Sequence, residues 1–140
     1  GLRGELLRCV EDLRLQNHVI FTGWREDIEA ILSIMDIYVH CPTTWIEGLG
    51  IANLEAMAMG KPTVVSDNGG LPDAVIDGET GFVVPIGDVT RLADVLLRLL
   101  RDDSLAQQLG RNARRRVEEH FDIAKNTATL EECLDAVALP

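Results

Sequence analysis

The stretch "AMAMGKPTVVSD", Ala56–Asp67, carries the order of elements that decides the fold. Its first half continues a helix that begins near Ile51. Gly60 suits the left-handed position just past a helix end, and Pro62 forbids a further turn. Its second half, "PTVVSD", is a continuous apolar run of strand length. A strand that lacks in–out alternation is the mark of a parallel sheet covered on both faces.

The same punctuation repeats in both directions from this stretch. Upstream, "DIYVHCP" (36–42) reads as the preceding strand, stopped by Pro42. Ahead of it, Ile28, Ile31, Leu32 and Met35 recur at helical spacing, with Asp27 as the expected N-cap. "HVIFTG" (18–23) reads as a short buried strand ending at Gly23. Leu2, Leu6, Leu7, Val10 and Leu13 predict a helix over about 2–14 with one buried face. Downstream, "DNGG" is a turn, "LPDAV" a short helix and "GFVVP" a further strand. A helix begun at Asp88 presents Leu92, Val95, Leu96, Leu99 and Leu100 on one side. "SLAQ", Ser104–Gln107, has the form of a capping box for the next helix. "FDIAKNTATLEECLDAVAL" closes the chain as a last helix. Strands alternating with helices imply an α/β fold with a parallel sheet and helices on both sides, Rossmann-like if the crossovers are right-handed. No repeat, linker or low-complexity tract divides residues 1–140, so one domain is expected.

Composition narrows the function. The chain has 140 residues, 46% of them hydrophobic, which suits a packed core. A formal net charge of −10 argues against broad binding to nucleic acid, which needs a basic face. A small anion remains admissible, because backbone amides at a helix start can hold one. The three cysteines, Cys9, Cys41 and Cys133, are scattered and form no CxxC pair. They read as reduced, mostly buried residues of a cytoplasmic protein. Three histidines without ligand spacing make a protein-built zinc site an unneeded assumption. No apolar run approaches the roughly 20 residues that span a bilayer. The opening helix, with no strand ahead of it, predicts a piece of a longer chain.

The segment "EGLGIANLE" places Glu47 and Glu55 eight positions apart around a glycine-flanked turn. The turn falls after the strand at 37–40, at the carboxyl end of the sheet, where open parallel sheets bind ligands. Glycines at 48 and 50 let the backbone bend and approach a ligand. Free amides near Leu49–Ala52 would then face an anion. The two acids repel phosphate but accept hydrogen bonds from hydroxyls, so a ligand with phosphate in its middle and polyols at its ends fits: a nucleotide sugar. A dinucleotide fingerprint would need glycine where Asn53 stands, and a P-loop would need Gly at 55 and Ser or Thr at 62, where Glu55 and Pro62 stand. The spacing alone also fits two solvated acids at a loop–helix junction.

The longer block "EGLGIANLEAMAMGKPTVVSDNGGLPDAVIDGETGFVVPIGD" resembles the C-terminal, donor-binding domain of retaining GT-B glycosyltransferases of the glycosyl transferases group 1 family. The matching parts are Glu47, Glu55, Ala56-Met57-Ala58, Gly60-Lys61-Pro62, Gly69-Gly70-Leu71-Pro72-Asp73 and Asp77-Gly78-Glu79-Thr80-Gly81. "VIFTGW", "MDIYVHCPTTW" and "LGRNARRRVEEHF" also look like family segments, so the resemblance covers nearly the whole chain. It implies the C-terminal half of a GT-B fold and transfer of a sugar from a nucleotide-diphosphate sugar with retained configuration. It implies that Glu55 meets the ribose hydroxyls and Glu47 the transferred sugar. Gly48, Leu49, Gly50 and Ile51 would surround the sugar and diphosphate, and Trp24 and Arg25 would border the base. No tightly held metal and no other cofactor is implied.

Leu49 stands where the family has Phe, and Asp73 where Glu is commoner. The family's first strand of this domain, with its diphosphate-gripping Arg and Lys, and the acceptor-binding N-terminal domain would lie ahead of Gly1. The expectation is therefore half an enzyme, inactive alone, with a sheet edge open to self-association. The parent would be cytoplasmic or peripheral at the inner membrane face. A stand-alone nucleotide or sugar-phosphate binding module is the alternative, and a GT-B sugar-nucleotide epimerase fits the block less well. Lys61, Gly69-Gly70 and Trp45 are further candidates for the cleft. "RNARRR" (111–116) reads as a solvated face, and the histidines as structural, His40 least securely.

Overall fold

The apolar run after Pro62 becomes the middle strand of a three-stranded parallel sheet in a computed structural model, which describes residues 1–43 and 47–137. The elements in chain order are α1 (Leu2–Asp12), α2 (Ile28–Ile34), β1 (Tyr38–His40), α3 (Ile51–Ala58), β2 (Thr63–Ser66), α4 (Leu71–Ala74), β3 (Gly81–Val84), α5 (Val89–Arg101), α6 (Asp103–His120) and α7 (Ile123–Val137). The strands lie in the order β1-β2-β3, with Tyr38 opposite Thr63 and Thr63 opposite Gly81. A helix separates each pair of neighbours in sequence, as parallel pairing demands.

All four residues of β2 are buried, which explains the missing alternation. Val65 packs with Met57, Leu71, Ala74 and Ala113 on one face. Val64 packs with Phe82, Val84, Val95, Leu99 and Leu109 on the other. Each valine is fully out of water, and burying such a side chain is worth about 1.5–3 kcal/mol. The sheet is thus covered by helices on both sides, and its carboxyl end is held in place from two faces. Gly60 takes φ +68 at the end of α3, the left-handed position expected of it.

Several local expectations differ from the structure. Residues 18–22 form no strand: Ile20 is 86% exposed, and no described strand lies alongside to complete a ladder. The helix α1 forms, but it buries none of its residues. Periodicity specifies which side of a helix is apolar, not what covers it. Cys9 and Cys133 are exposed for the same reason, since α1 and α7 bury nothing; Cys41 is half-buried. Asp27 occupies the N-cap position of α2 without a side-chain cap, because its carboxylate pairs with Arg25. The cap of α6 is Asp102, which accepts from the Leu105 amide at 2.9 Å, so Ser104 lies inside the helix.

Candidate functional site

The loop leaving β1 is tied to the end of β2 at both of its described ends. The Pro42 carbonyl accepts from Ser66 Oγ at 3.0 Å and from Asn68 Nδ2 at 3.1 Å. On the return, the Gly48 carbonyl accepts from the Gly70 amide at 3.1 Å. Gly69 sits at φ +55, and a Cβ there would lie 1.9 Å from the Glu47 carbonyl oxygen. Gly69-Gly70 therefore makes a turn whose bare backbone holds the main chain of Glu47 and Gly48. Trp45 lies outside the described residues.

Gly50 precedes α3 in the left-handed region, with φ 72 and ψ 70. Only glycine takes that conformation without strain. It is buried against α4, where an added Cβ would meet Leu71 Cδ2 at 2.5 Å. Its carbonyl accepts from the amides of Asn53 at 2.9 Å and Leu54 at 3.1 Å. The amides of Ile51 and Ala52, both exposed residues, have no hydrogen bond among the described residues. These are the unsatisfied donors of a helix start, where a partial positive charge also gathers.

The two acids differ in setting. Glu55 is exposed on α3, and its carboxylate makes no hydrogen bond or ion pair among the described residues. Glu47 is partly shielded, with Oε2 3.2 Å from His40 Nε2. Tyr38, two residues before His40, feels both acids: burial first, then the charges of Glu47 and Glu55, push its phenol above the ordinary value of 10.0. The chain contains one tyrosine, so a phenolate absorbance titration reads this site alone. The expected midpoint lies above 10.0. Glu47→Gln and Glu55→Gln should each lower it, because removing a negative neighbour eases ionisation. A raised folded value means that the stabilisation is complete below the unfolded value and is lost as pH climbs through the folded one. Unchanged midpoints in both variants would separate Tyr38 from the acids.

Beside Glu55 lies an open cleft of ≈ 400 Å³, lined also by Glu26, Asp27, Ile28, Leu32 and Met59. Residues 26–29 thus border Glu55, whereas Trp24 and Arg25 are not among the residues that line this cleft. Arg25 Nε donates to Asp27 Oδ1 at 2.7 Å, which holds the Asp27 carboxyl below its usual range, and Trp24 is 91% exposed. A larger cleft, ≈ 540 Å³, is lined by Asp36, Ile37, Lys61 and Pro62 at the amino ends of β1 and β2, away from both acids. Lys61 Nζ donates to the Ser33 carbonyl at 2.7 Å. Arg116 in the basic run donates to the Asp73 and Ala74 carbonyls, each at 2.8 Å, and lies over the Phe121 ring. That arginine works as a strap between α4 and α6.

The structure brings together Glu47, Gly48, Leu49, Gly50, Ile51 and Glu55 around the start of α3. His40 and Tyr38 join them, although sequence reasoning had set His40 aside as structural. A signal existed: residues 38 and 40 share one face of a strand that runs into the acidic turn.

The family model described as "Glycosyl transferases group 1" matches residues 3–116. The N-acetyl-alpha-D-glucosaminyl L-malate synthase of Bacillus anthracis is 32% identical over 126 residues, which is 90% of this chain and 32% of the synthase. The GDP-mannose-dependent alpha-(1-6)-phosphatidylinositol monomannoside mannosyltransferase of Mycolicibacterium smegmatis is 35% identical over 136 residues, covering 92% of this chain and 36% of that enzyme. The crystal structure of Anabaena Alr3699/HepE in complex with UDP superposes with a TM-score of 0.91 at 29% identity, over 95% of this chain and 36% of that one. The same protein in complex with UDP-glucose gives a TM-score of 0.88 at 28% identity, with the same coverage. The chain therefore spans about a third of the length of these relatives. Among the described residues, no helix is long and apolar enough to cross a membrane. Sequence, parallel sheet and neighbours agree: the chain belongs to the glycosyl transferases group 1 family.

Proposed function

We propose that residues 1–140 act as one donor-binding unit of a glycosyltransferase that moves a sugar from a nucleotide-diphosphate sugar to an acceptor, with retention of anomeric configuration. The acceptor is held by another part of a longer parent protein. The observation that carries this reading is the pair of acids, Glu47 and Glu55, on either side of a left-handed bend at Gly50 with the Ile51 and Ala52 amides open. Glu55 accepts hydrogen bonds from the ribose hydroxyls, and Glu47 from hydroxyls of the transferred sugar. The backbone from Gly48 to Ile51 surrounds the sugar and diphosphate. Trp24 and Arg25 border the base at the far side of the cleft beside Glu55.

The chemistry follows from that placement. When the bond to the diphosphate breaks, negative charge grows on the departing oxygens. Amides fixed at a helix start stabilise that charge without reorganising. Glu47, set against His40, orients the sugar so that its reacting carbon faces the acceptor. Support comes from a relative named for GDP-mannose and neighbours solved with UDP and UDP-glucose, which share this fold.

A thermal-shift panel of UDP, GDP and ADP, each with and without its sugar, tests the reading. One nucleoside diphosphate should raise the Tm. At a hundredfold excess over its Kd, ligand adds about 2.7 kcal/mol, or roughly 5–10 °C for a chain of this size. No response from any of the six would end the donor-binding reading.

A further inference from the structure

We propose that His40 is a positioning residue that sets the orientation of Glu47 toward the hydroxyls of the transferred sugar. The inference rests on the donor-binding reading above and adds a residue to it. His40 ends β1 and pairs in register with Val65, so its backbone belongs to the sheet and not to the loop. Its Nε2 lies 3.2 Å from Glu47 Oε2. A carboxylate only accepts, so any hydrogen between the two atoms belongs to Nε2. Its other nitrogen, Nδ1, is buried with no hydrogen-bond partner among the described residues. It lies 3.8 Å from the place where a Cβ on Gly50 would stand. The ring meets Tyr38 edge-on, with centroids 6.2 Å apart at 87°.

Among the described residues, these contacts leave the ring one polar neighbour. A histidine kept for packing has no use for a buried orphan nitrogen, which an apolar side chain would avoid. What the histidine adds over such a side chain is the approach of Nε2 to Glu47. The backbone of Glu47 is held by Gly69-Gly70, but its side chain has three rotatable bonds, and fixing them on ligand binding costs entropy. A polar neighbour on the strand holds one carboxylate oxygen beforehand and leaves Oε1 to accept from a sugar hydroxyl. Preorganisation of this kind acts on sugar recognition and leaves the nucleotide contacts at Glu55 alone.

The test is calorimetric titration of the chain with UDP and UDP-glucose, and with GDP and GDP-mannose, in the parent and in His40→Phe and His40→Gln. Phe keeps the ring volume beside Tyr38 and removes the donor; Gln restores a donor at similar reach. In the parent, the nucleotide sugar should bind more tightly than its bare diphosphate. His40→Phe should remove about tenfold of nucleotide-sugar affinity and leave the diphosphate within about twofold. His40→Gln should recover most of the loss. In the Glu47→Ala background, His40→Phe should have no further effect, because the group it orients is gone. If His40→Phe does not fold, His40→Leu takes its place in the same cycle. A full sugar margin in His40→Phe, or equal loss for both probes, overturns the positioning role while the donor reading stands. A parent without any sugar margin overturns it as well. A parent that binds none of the four probes removes the donor reading itself, and the positioning role with it.

Discussion

Gly69→Ala is expected to unfold the chain at markedly lower urea and to abolish any response to nucleoside diphosphate. Two separate terms add. Holding alanine at φ +55 costs roughly 1–2 kcal/mol. The new Cβ would also stand 1.9 Å from the Glu47 carbonyl oxygen, a contact with main chain that no rotamer change relieves. Overpacking of that kind adds about 1–3 kcal/mol. Relief must come from moving the backbone of Glu47 and Gly48, which also carries the bond from the Gly70 amide. Gly78→Ala is the control: its φ is +74, but nothing lies within 4 Å of a Cβ there. It should show the backbone cost alone and keep ligand binding. Equal destabilisation by the two variants in urea melts would show that the clash relaxes freely and that the turn does not hold Glu47.

Glu55→Ala should have the opposite profile, with stability kept and donor binding lost. Its carboxylate is exposed and makes no hydrogen bond or ion pair among the described residues, so truncation breaks no tie in the fold. Alanine is also the better helix former at that position. If the carboxylate accepts from ribose hydroxyls, its removal forfeits charged hydrogen bonds worth about 1.5–3 kcal/mol, or a 10- to 150-fold rise in Kd. The nucleoside diphosphate that shifts the parent's Tm should then shift the variant's little at the same concentration. Because ribose is common to UDP and UDP-glucose, both should weaken together, unlike the sugar-selective loss expected at His40. A variant that binds as tightly as the parent would remove Glu55 from the ribose.

Element types were legible because each rests on short-range chemistry. Pro62 ends one element wherever it sits, Gly60 takes the left-handed position after a helix, and Asp88 caps α5 by accepting from Arg91 three residues on. The buried run in β2 declared a two-faced sheet before any partner was known. Interactions between competing neighbours were harder to read. Asp27 was available both to a helix amide and to Arg25, and the guanidinium won. Asp102 became the cap of α6 by accepting from the Leu105 amide, which leaves Ser104, the expected cap, as the second residue of the helix.

The site divides along the same line. Two acids around a glycine turn at a sheet end are local facts, so the order of residues alone specified them, while the spacing left their role open between a ligand's hydroxyls and bulk solvent. Covering surfaces and cross-chain contacts depend on which distant segments fold back. The apolar face of α1, and Ile20 and Phe21, stay exposed, although their patterns read as buried. The clamp of Gly69-Gly70 on Glu47, the pinning of Pro42 by Ser66 and Asn68, and the 3.2 Å approach of His40 to Glu47 each join positions that only the assembled sheet makes neighbours. Spacing along a chain encodes what a residue can do; the packing of strands against helices decides what it touches.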